Sequence, residues 1–375
     1  MKLIYIANIR LPTEKAHGIQ IMKMCEALSN QDLDVELLVP RRINDLLEDP
    51  FDFYQVKRIF KITRILCFDL VSFEKWRIGF FVSTLSFLFF TKIYLFFREY
   101  DILYSRELLT GLFFRNYFFE LHNFLQKPGR FYKFLIFKPR TIFALTGFLK
   151  DNLKKTGIAD KKIMILPDAV DLAEFSPSLD REGARKKLNL PLDKKIIIYT
   201  GSFLFYKWKG IGSLLDAGKL LKDDFLFVLV GGHPWEIRKL KERPIPLNVL
   251  LVSYQKHEII PYYLKAADIF VIPNEKGDAI SEKYTSPLKL FEYMASRRPI
   301  ISSDLPSLRE ILTEKEALFF EAGNPADLVR AIKKIFEDKD LSEKLSYNAY
   351  QKVKDYTWEK RAKKIIFETS DKKLY

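Results

Sequence analysis

Residues 194–232 read KKIIIYTGSFLFYKWKGIGSLLDAGKLLKDDFLFVLVGG. Two apolar runs, KKIIIYTG and FLFVLVGG, flank a segment whose apolar residues recur at helical spacing from Ile211 to Leu221. A strand without polar alternation is buried on both faces, as in a parallel sheet covered by helices. The alternation continues downstream. NVLLVSY, DIFVIP, RPIISSD and ALFFE are further strands of this kind, with helices expected near Ile259 to Ala267, Pro287 to Ser296, Ser307 to Leu312 and Ala326 to Phe336. The second half is therefore read as an α/β domain with a doubly wound parallel sheet.

Upstream the same logic holds. A strand at Lys2 to Ile9, a loop, an amphipathic helix around Ile19 to Leu28 and a strand at Val35 to Pro40 make one βαβ unit. DILYS, NYFFELHN, RTIFALT and KIMILPD add short buried strands, and GFLKDNLKKTGI a helix, while residues 51–97 show only weak periodicity. After AVDLAEFSP, the stretch SLDREGARKKLNLPLD reads as a polar linker. A chain of 375 residues suits roughly two domains of 150 to 200 residues each. Two such sheets form a cleft between the carboxyl ends of their strands, where a ligand is expected.

Composition narrows the partners. With 48% hydrophobic and 29% charged residues the chain is neither disordered nor collagenous. Two cysteines, Cys25 and Cys67, cannot build a disulfide framework, and no CxxC spacing exists, so a reducing cytoplasm is the expected compartment. MKLIYIANI reads as a buried strand rather than a secretory signal. The net charge of +14 would suit nucleic acid, anionic lipid or phosphorylated ligands. Between Arg115 and Lys162 eleven basic residues stand against Glu120, Asp151 and Asp160 in a very aromatic context. No zinc-finger, RNA-recognition or helix-turn-helix signature accompanies them, and nucleic acid is not expected as a partner. Ile78 to Phe97 is long enough to span a bilayer, but Lys92 and several Ser and Thr residues disfavour that reading. Two readings remain for it: a core helix covering the sheet, or a face resting on the anionic cytoplasmic leaflet.

The segment TSPLKLFEYMA, residues 285–295, follows the strand DIFVIP and its loop. Ser286 suits an N-cap and Pro287 a first helical position, which would direct the amides of Leu288 and Lys289 into the cleft. A helix start in that place suits a diphosphate. At about 100° per residue, Leu288, Leu290, Phe291, Met294 and Ala295 form the buried face, with Glu292 at its edge about one turn beyond the amides. A carboxylate there can accept both hydroxyls of a ribose. The alternative is an exposed glutamate paired to Lys289 or Arg297, and the preceding strand and loop favour the ligand. Lys209, just before Gly210 at a helix start, would place an ammonium on the same diphosphate, with Lys207 as a spare donor. Neither G-x-G-x-x-G nor G-x-x-x-x-G-K-[ST] occurs, which disfavours an NAD enzyme or a P-loop phosphotransferase. In the first half, Gly18 of HGIQ would allow close backbone approach to a ligand. His122 of ELHNF follows a buried strand and is expected to face the cleft, the alternative being a structural histidine. The D-x-D strings at Asp32 to Asp34 and Asp338 to Asp340 read as solvated surface.

The chain resembles a retaining glycosyltransferase of family 4 (glycosyl transferases group 1) over nearly its full length. The resemblance is carried by KAHGIQIMKMCEAL, FELHNF, ILPDAVDLAEF, YTGSFLFYKWKG, FVLVGG, KAADIFVIPN, TSPLKLFEYMASRRPIISSDLPSLREIL and YTWEKRAKKII, in that order. It implies the GT-B fold: two Rossmann-like doubly wound parallel-sheet domains facing across a cleft. Residues 1–177 would be the acceptor-binding domain, 178–357 the nucleotide-sugar-binding domain, and 358–375 a helix crossing back to the first. Glu292 would hold the nucleotide ribose, Ser286, Pro287 and Leu288 would line the donor phosphates, and Lys209 would pair with them. Gly18 would sit against the donor phosphate, His122 would touch the transferred sugar, and Tyr254 would lie where the base is held. The expected catalytic residues are thus His122, Lys209 and Glu292.

The resemblance also implies transfer with retention and without a metal or other cofactor. The donor would be a UDP-sugar, with a GDP-sugar next, and the acceptor a glycan or lipid-linked hydroxyl in surface polysaccharide or glycolipid synthesis. Two departures from the pattern stand out. A glutamate eight residues before Glu292 is replaced by Tyr284, leaving Glu282 and Lys283 as the nearest candidates, and the arginine that follows the TG glycine is replaced by Ser202, for which Lys207 would compensate. A nucleotide-sugar epimerase of similar fold, or a nucleotide-binding membrane-peripheral protein that has lost turnover, are the alternatives.

Overall fold

The computed structural model describes residues 1–70, 77–125 and 127–370. The chain divides into two units, one formed by Met1–Pro167 with the segment that begins at Trp358, the other by Asp168–Thr357.

In the first unit, β1 (Lys2–Ile6), β2 (Asp34–Pro40), β3 (Lys61–Ile65), β4 (Ile102–Ser105), β5 (Phe118–Leu121), β6 (Thr141–Ala144) and β7 (Ile163–Ile165) form one parallel sheet. Its order is β3-β2-β1-β4-β5-β6-β7. Ile6 pairs with Leu38 on one side and Ser105 on the other, so the winding direction reverses between β1 and β4. β3 lies in the stretch of weak periodicity and was not expected. As an edge strand it pairs on one side only and needs no continuous apolar run. The helix Ala16–Ser29 buries Ile21, Met22, Met24, Cys25 and Leu28, and the helix Trp358–Ser370 packs beside it.

The helix Arg77–Phe96 is long and apolar enough to cross a membrane, and one side of it packs into this unit. Its buried face holds Ser83, Thr84, Phe87, Leu88, Thr91 and Leu95, while Ile78, Phe80, Phe81, Phe89, Ile93 and Phe96 are exposed. The polarity is inverted relative to an ordinary surface helix. Thr84 and Thr91 satisfy their hydroxyls on the carbonyls of Phe80 and Phe87, one turn back, so the inward face carries little cost. The short helix Arg130–Ile136 likewise exposes Phe131 and Phe134 beside Arg130 and Lys133.

In the second unit, β8 (Lys195–Thr200), β9 (Phe225–Gly232), β10 (Val249–Ser253), β11 (Ile269–Ile272), β12 (Ile300–Ser303) and β13 (Leu318–Phe320) lie in the expected runs, all parallel. Their order is β10-β9-β8-β11-β12-β13, reversing between β8 and β11. Ile196, Ile198, Val228 and Val230 belong to one apolar cluster, and Ile197, Tyr199, Phe227 and Leu229 to another. Those clusters are the two helix-covered faces that an uninterrupted apolar strand implies.

The stretch read as a polar linker contains a helix, Arg181–Lys187, capped by Asp180, whose carboxylate accepts from the amide of Gly183 at 2.7 Å. Arg185 is only 3% exposed. It pairs with Asp268 at 2.7 Å and donates to the carbonyls of Ala266, Leu192 and Lys194, which is how so polar a sequence is buried. Asp338 is exposed, as expected, and also caps the helix Lys339–Val353 through the amide of Leu341.

Candidate active site

The candidate residues fall in both units. In the second, the helix Leu288–Ala295 starts one residue later than expected, with Pro287 at the N-cap. Ser286 does not cap it. Its hydroxyl accepts instead from the buried amide of Asp168 at 3.1 Å. The first-turn amides of the helix are thereby left without a side-chain cap. Burial also extends further round the helix than its apolar stripe predicts. Tyr293 is fully buried, accepts from the Thr200 amide at 2.7 Å and stacks on Phe270 at 4.4 Å, while Phe291 packs on Tyr356 from another side.

Glu292, 9% exposed, meets His257. The imidazole lies between two carboxylates, with Nδ1 2.7 Å from Glu174 and Nε2 3.3 Å from Glu292. Burial pushes its pKa down, but the bonds to Glu174 and Glu292 outweigh burial and raise it to about 9. His257 is therefore a cation at neutral pH, and its bond occupies Oε1 of Glu292. Oε2 has no protein partner among the described residues. Glu174 lies within the quoted segment ILPDAVDLAEF, but no local signal gave it a role, and His257 stands in none of the quoted motifs.

Lys209 ends a short turn after the β8 loop, and Gly210 follows in the left-handed region at φ 71°. A Cβ there would fall 1.7 Å from the Pro273 carbonyl oxygen, so the turn requires glycine. Lys209 Nζ donates to Ser202 Oγ at 2.9 Å, and burial lowers its pKa to about 8 against the attraction of Glu236. Glu236, fully buried, fixes the loop: Oε1 accepts from the amides of Phe203, Leu204 and Phe205, and Oε2 from His233. Lys207, the expected compensating cation, is exposed. Lys289 is the lysine brought to this place. Its Nζ is buried without a hydrogen-bond partner, 3.7 Å from the centre of the Tyr199 ring and close beside Gly201. Tyr254 follows β10 and lies parallel to the ring of His233, with centroids 6.5 Å apart. Tyr284 is 5% exposed in a π-helical turn, and Glu282 accepts from the Gly277 amide at 2.6 Å.

In the first unit, His122 follows β5 and is 28% exposed. Both ring nitrogens are engaged: Nε2 is 2.5 Å from Glu120 and Nδ1 3.3 Å from Arg106. Burial, then the Arg106 charge, lowers its pKa to about 4, so the ring is neutral at physiological pH. Glu120 is 1% exposed and also accepts from Gln20 at 2.9 Å and from the Tyr104 hydroxyl. Arg361, from the helix Trp358–Ser370, lies 3.1 Å from it and donates to the Pro167 carbonyl at 2.9 Å. Burial raises the pKa of Glu120, but Arg361 and His122 together hold it well below its usual range. Gly18 is buried in the helix Ala16–Ser29, where an added Cβ would stand 2.1 Å from the Tyr54 hydroxyl. That hydroxyl donates to the Thr13 carbonyl and accepts from the Thr13 amide, so within this unit Tyr54 is what approaches Gly18.

Residues 180–352 match the family model described as glycosyl transferases group 1. A relative from Campylobacter jejuni, N,N'-diacetylbacillosaminyl-diphospho-undecaprenol alpha-1,3-N-acetylgalactosaminyltransferase, is 29% identical over 54% of this chain and 53% of its own length. The chain spans about half the length of the first curated relatives it matches. Among solved structures, sucrose-phosphate synthase from Thermosynechococcus elongatus superposes with a TM-score of 0.76 at 19% identity, covering 99% of this chain and 98% of that one. Anabaena HepE in complex with UDP-glucose superposes with a TM-score of 0.75 at 13% identity, covering 99% and 100%. Both units therefore carry the parallel sheets expected of the GT-B fold, and the second unit, over residues 180–352, matches the group 1 glycosyltransferases.

Proposed function

We propose that the chain transfers a sugar from a nucleoside-diphosphate sugar to a hydroxyl of a glycan or lipid-linked acceptor, in surface polysaccharide or glycolipid synthesis. One observation carries the reading: at the reversal of the second sheet, the uncapped first turn of the helix Leu288–Ala295 precedes Glu292 by about one turn, and Lys209 stands at the end of the neighbouring β8 loop. That spacing suits a diphosphate followed by a ribose. The UDP-glucose complex of HepE supports UDP as the carrier, with GDP as the second choice.

In this reading Glu292 accepts the ribose hydroxyls through the oxygen that His257 leaves free, and Tyr254 with His233 flanks the base. Lys209 and the first-turn amides stabilise the diphosphate as it leaves. The acceptor hydroxyl attacks from the same face, so configuration is retained, and no metal is required. His122 serves as a neutral, fixed group beside the transferred sugar, since Glu120 and Arg106 occupy its nitrogens. A cytoplasmic chain resting on the anionic inner leaflet would meet a lipid-linked acceptor there. Exposed Phe80, Phe81 and Phe89 on the helix Arg77–Phe96, and exposed Phe131 and Phe134 interleaved with Arg130 and Lys133, support that location.

The test is release of nucleoside diphosphate from UDP- and GDP-sugars with purified chain, with and without chelator, and the anomeric configuration of the product by NMR. Inverted product would remove the retaining mechanism. Tight nucleotide binding with no turnover on any acceptor would favour a binding protein that has lost its chemistry.

A further inference from the structure

We propose that Lys289 is the second cation of the diphosphate subsite, standing in for the missing arginine at Ser202, and that it takes up a proton from solvent as the anion enters. The proposal rests on the donor reading above. Its geometric basis is a pair of orphaned donors at one end of one sheet. Lys289 Nζ and Asn274 Nδ2 are both buried without a hydrogen-bond partner, and Asn274 is 2% exposed. Such groups are rare in folded proteins, because each forfeits the bonds it made with water.

Both sit where the strand order reverses. Asn274 follows β11, next to Pro273, whose carbonyl lies against Gly210; Lys289 reaches Gly201, at the end of β8. Lys209 converges on the same place through Ser202. Lys209 and Lys289 thus meet beside Gly201 and Ser202 at the start of a helix, with Asn274 at the end of the neighbouring strand, and an anion with several acceptor oxygens is the ligand that answers such donors.

The groups facing Lys289 are the Tyr199 ring on β8, Lys209 beyond the β8 loop and Glu292 on its own helix, with Glu236 behind Lys209. Burial first, and then the Lys209 charge, hold its ammonium well below the usual lysine range against the pull of Glu292. Lysine suits this duty and arginine does not, since an amine can wait neutral in a buried site and charge when a partner arrives.

The experiment is calorimetric titration of the full chain with UDP, GDP and inorganic pyrophosphate near pH 7.5, in two buffers of different ionisation enthalpy. UDP binding should take up about one proton, read from the difference in heat. Lys289→Met should bind UDP about 10- to 100-fold more weakly, without that uptake. Without ligand, the variant should melt at or above the wild-type temperature, because it removes an unpaired buried amine. UDP binding with equal heat in both buffers, and equal affinity in Lys289→Met, would overturn the proposal and leave the donor reading standing. Proton-linked binding of pyrophosphate with no added affinity for UDP or GDP would uphold the anion pocket and remove the donor reading. Binding of none of the three would overturn both.

Discussion

His257 offers a prediction whose size follows from the geometry. An imidazole raised from 6.5 to about 9 by two carboxylates contributes about 3 kcal/mol to the stability of the second unit. Because the folded pKa lies above the unfolded one, that contribution is fully present below about pH 6.5 and is lost as the pH rises through 9. Lys209 has the opposite slope: burial lowers its pKa to about 8, so folding is favoured as it loses its proton. The wild-type curve alone would mix these trends. Subtracting the curve of His257→Gln isolates the imidazole. Urea unfolding followed by tryptophan fluorescence at about pH 6 and again at about pH 9.5 should show the wild-type advantage shrinking by about 3 kcal/mol. An advantage of the same size at both values would mean that His257 is neutral in the folded chain, and that Glu292 is held by an ordinary hydrogen bond.

Other perturbations test the remaining parts. Arg361→Met should destabilise the first unit by about 2 to 4 kcal/mol in urea unfolding, since a carboxylate that is 0% exposed keeps only the more distant Arg106 as a charge partner, and adding Glu120→Gln should recover part of the loss. A double variant no more stable than Arg361→Met would disprove the pairing. Glu292→Ala should weaken UDP binding by about 1.5 to 3 kcal/mol in calorimetry, whereas unchanged affinity would remove Glu292 from the ribose site. Phe131→Ser with Phe134→Ser should reduce co-sedimentation with phosphatidylglycerol vesicles, and Lys133→Glu should do so more at low salt than at high; full retention by both would place the membrane face elsewhere.

The strands could be read from sequence because a parallel sheet demands continuous apolar runs, and runs such as FLFVLVGG or DIFVIP admit few other roles. Where burial was one-sided or polar the reading failed. β3 is an edge strand with little apolar signature, and the helix at Arg181 hides its burial behind Arg185 and Asp268. Around the candidate site, the places of Glu292 and Lys209 were legible, the one within the helix Leu288–Ala295 and the other just before the helix that follows Gly210. Ser286 was misassigned because N-cap preference is a local rule, and the distant amide of Asp168 competes for the same hydroxyl. The side chain of Lys289 entered only the alternative reading, as a partner for Glu292, since nothing in LKLFEY says that Gly201 and Tyr199 make room for an amine. The pairings Glu120 with Arg361 and Glu174 with His257 join segments far apart in the chain, and no periodicity encodes them.

The placement of Arg361 has a consequence for synthesis. The chain leaves its first unit at Pro167 and does not return until Trp358. On the ribosome, the second unit is therefore complete in sequence while Glu120 still lacks the guanidinium of Arg361. The N-terminal half emerges first, yet it is the last to be able to close its core. In the interval it holds a carboxylate short of one of its two arginines and an uncovered face on the helix Ala16–Ser29, the kind of surface that chaperones bind. A stop codon a few residues after Thr357 would spare every strand of both sheets and still leave the first unit in that unfinished state.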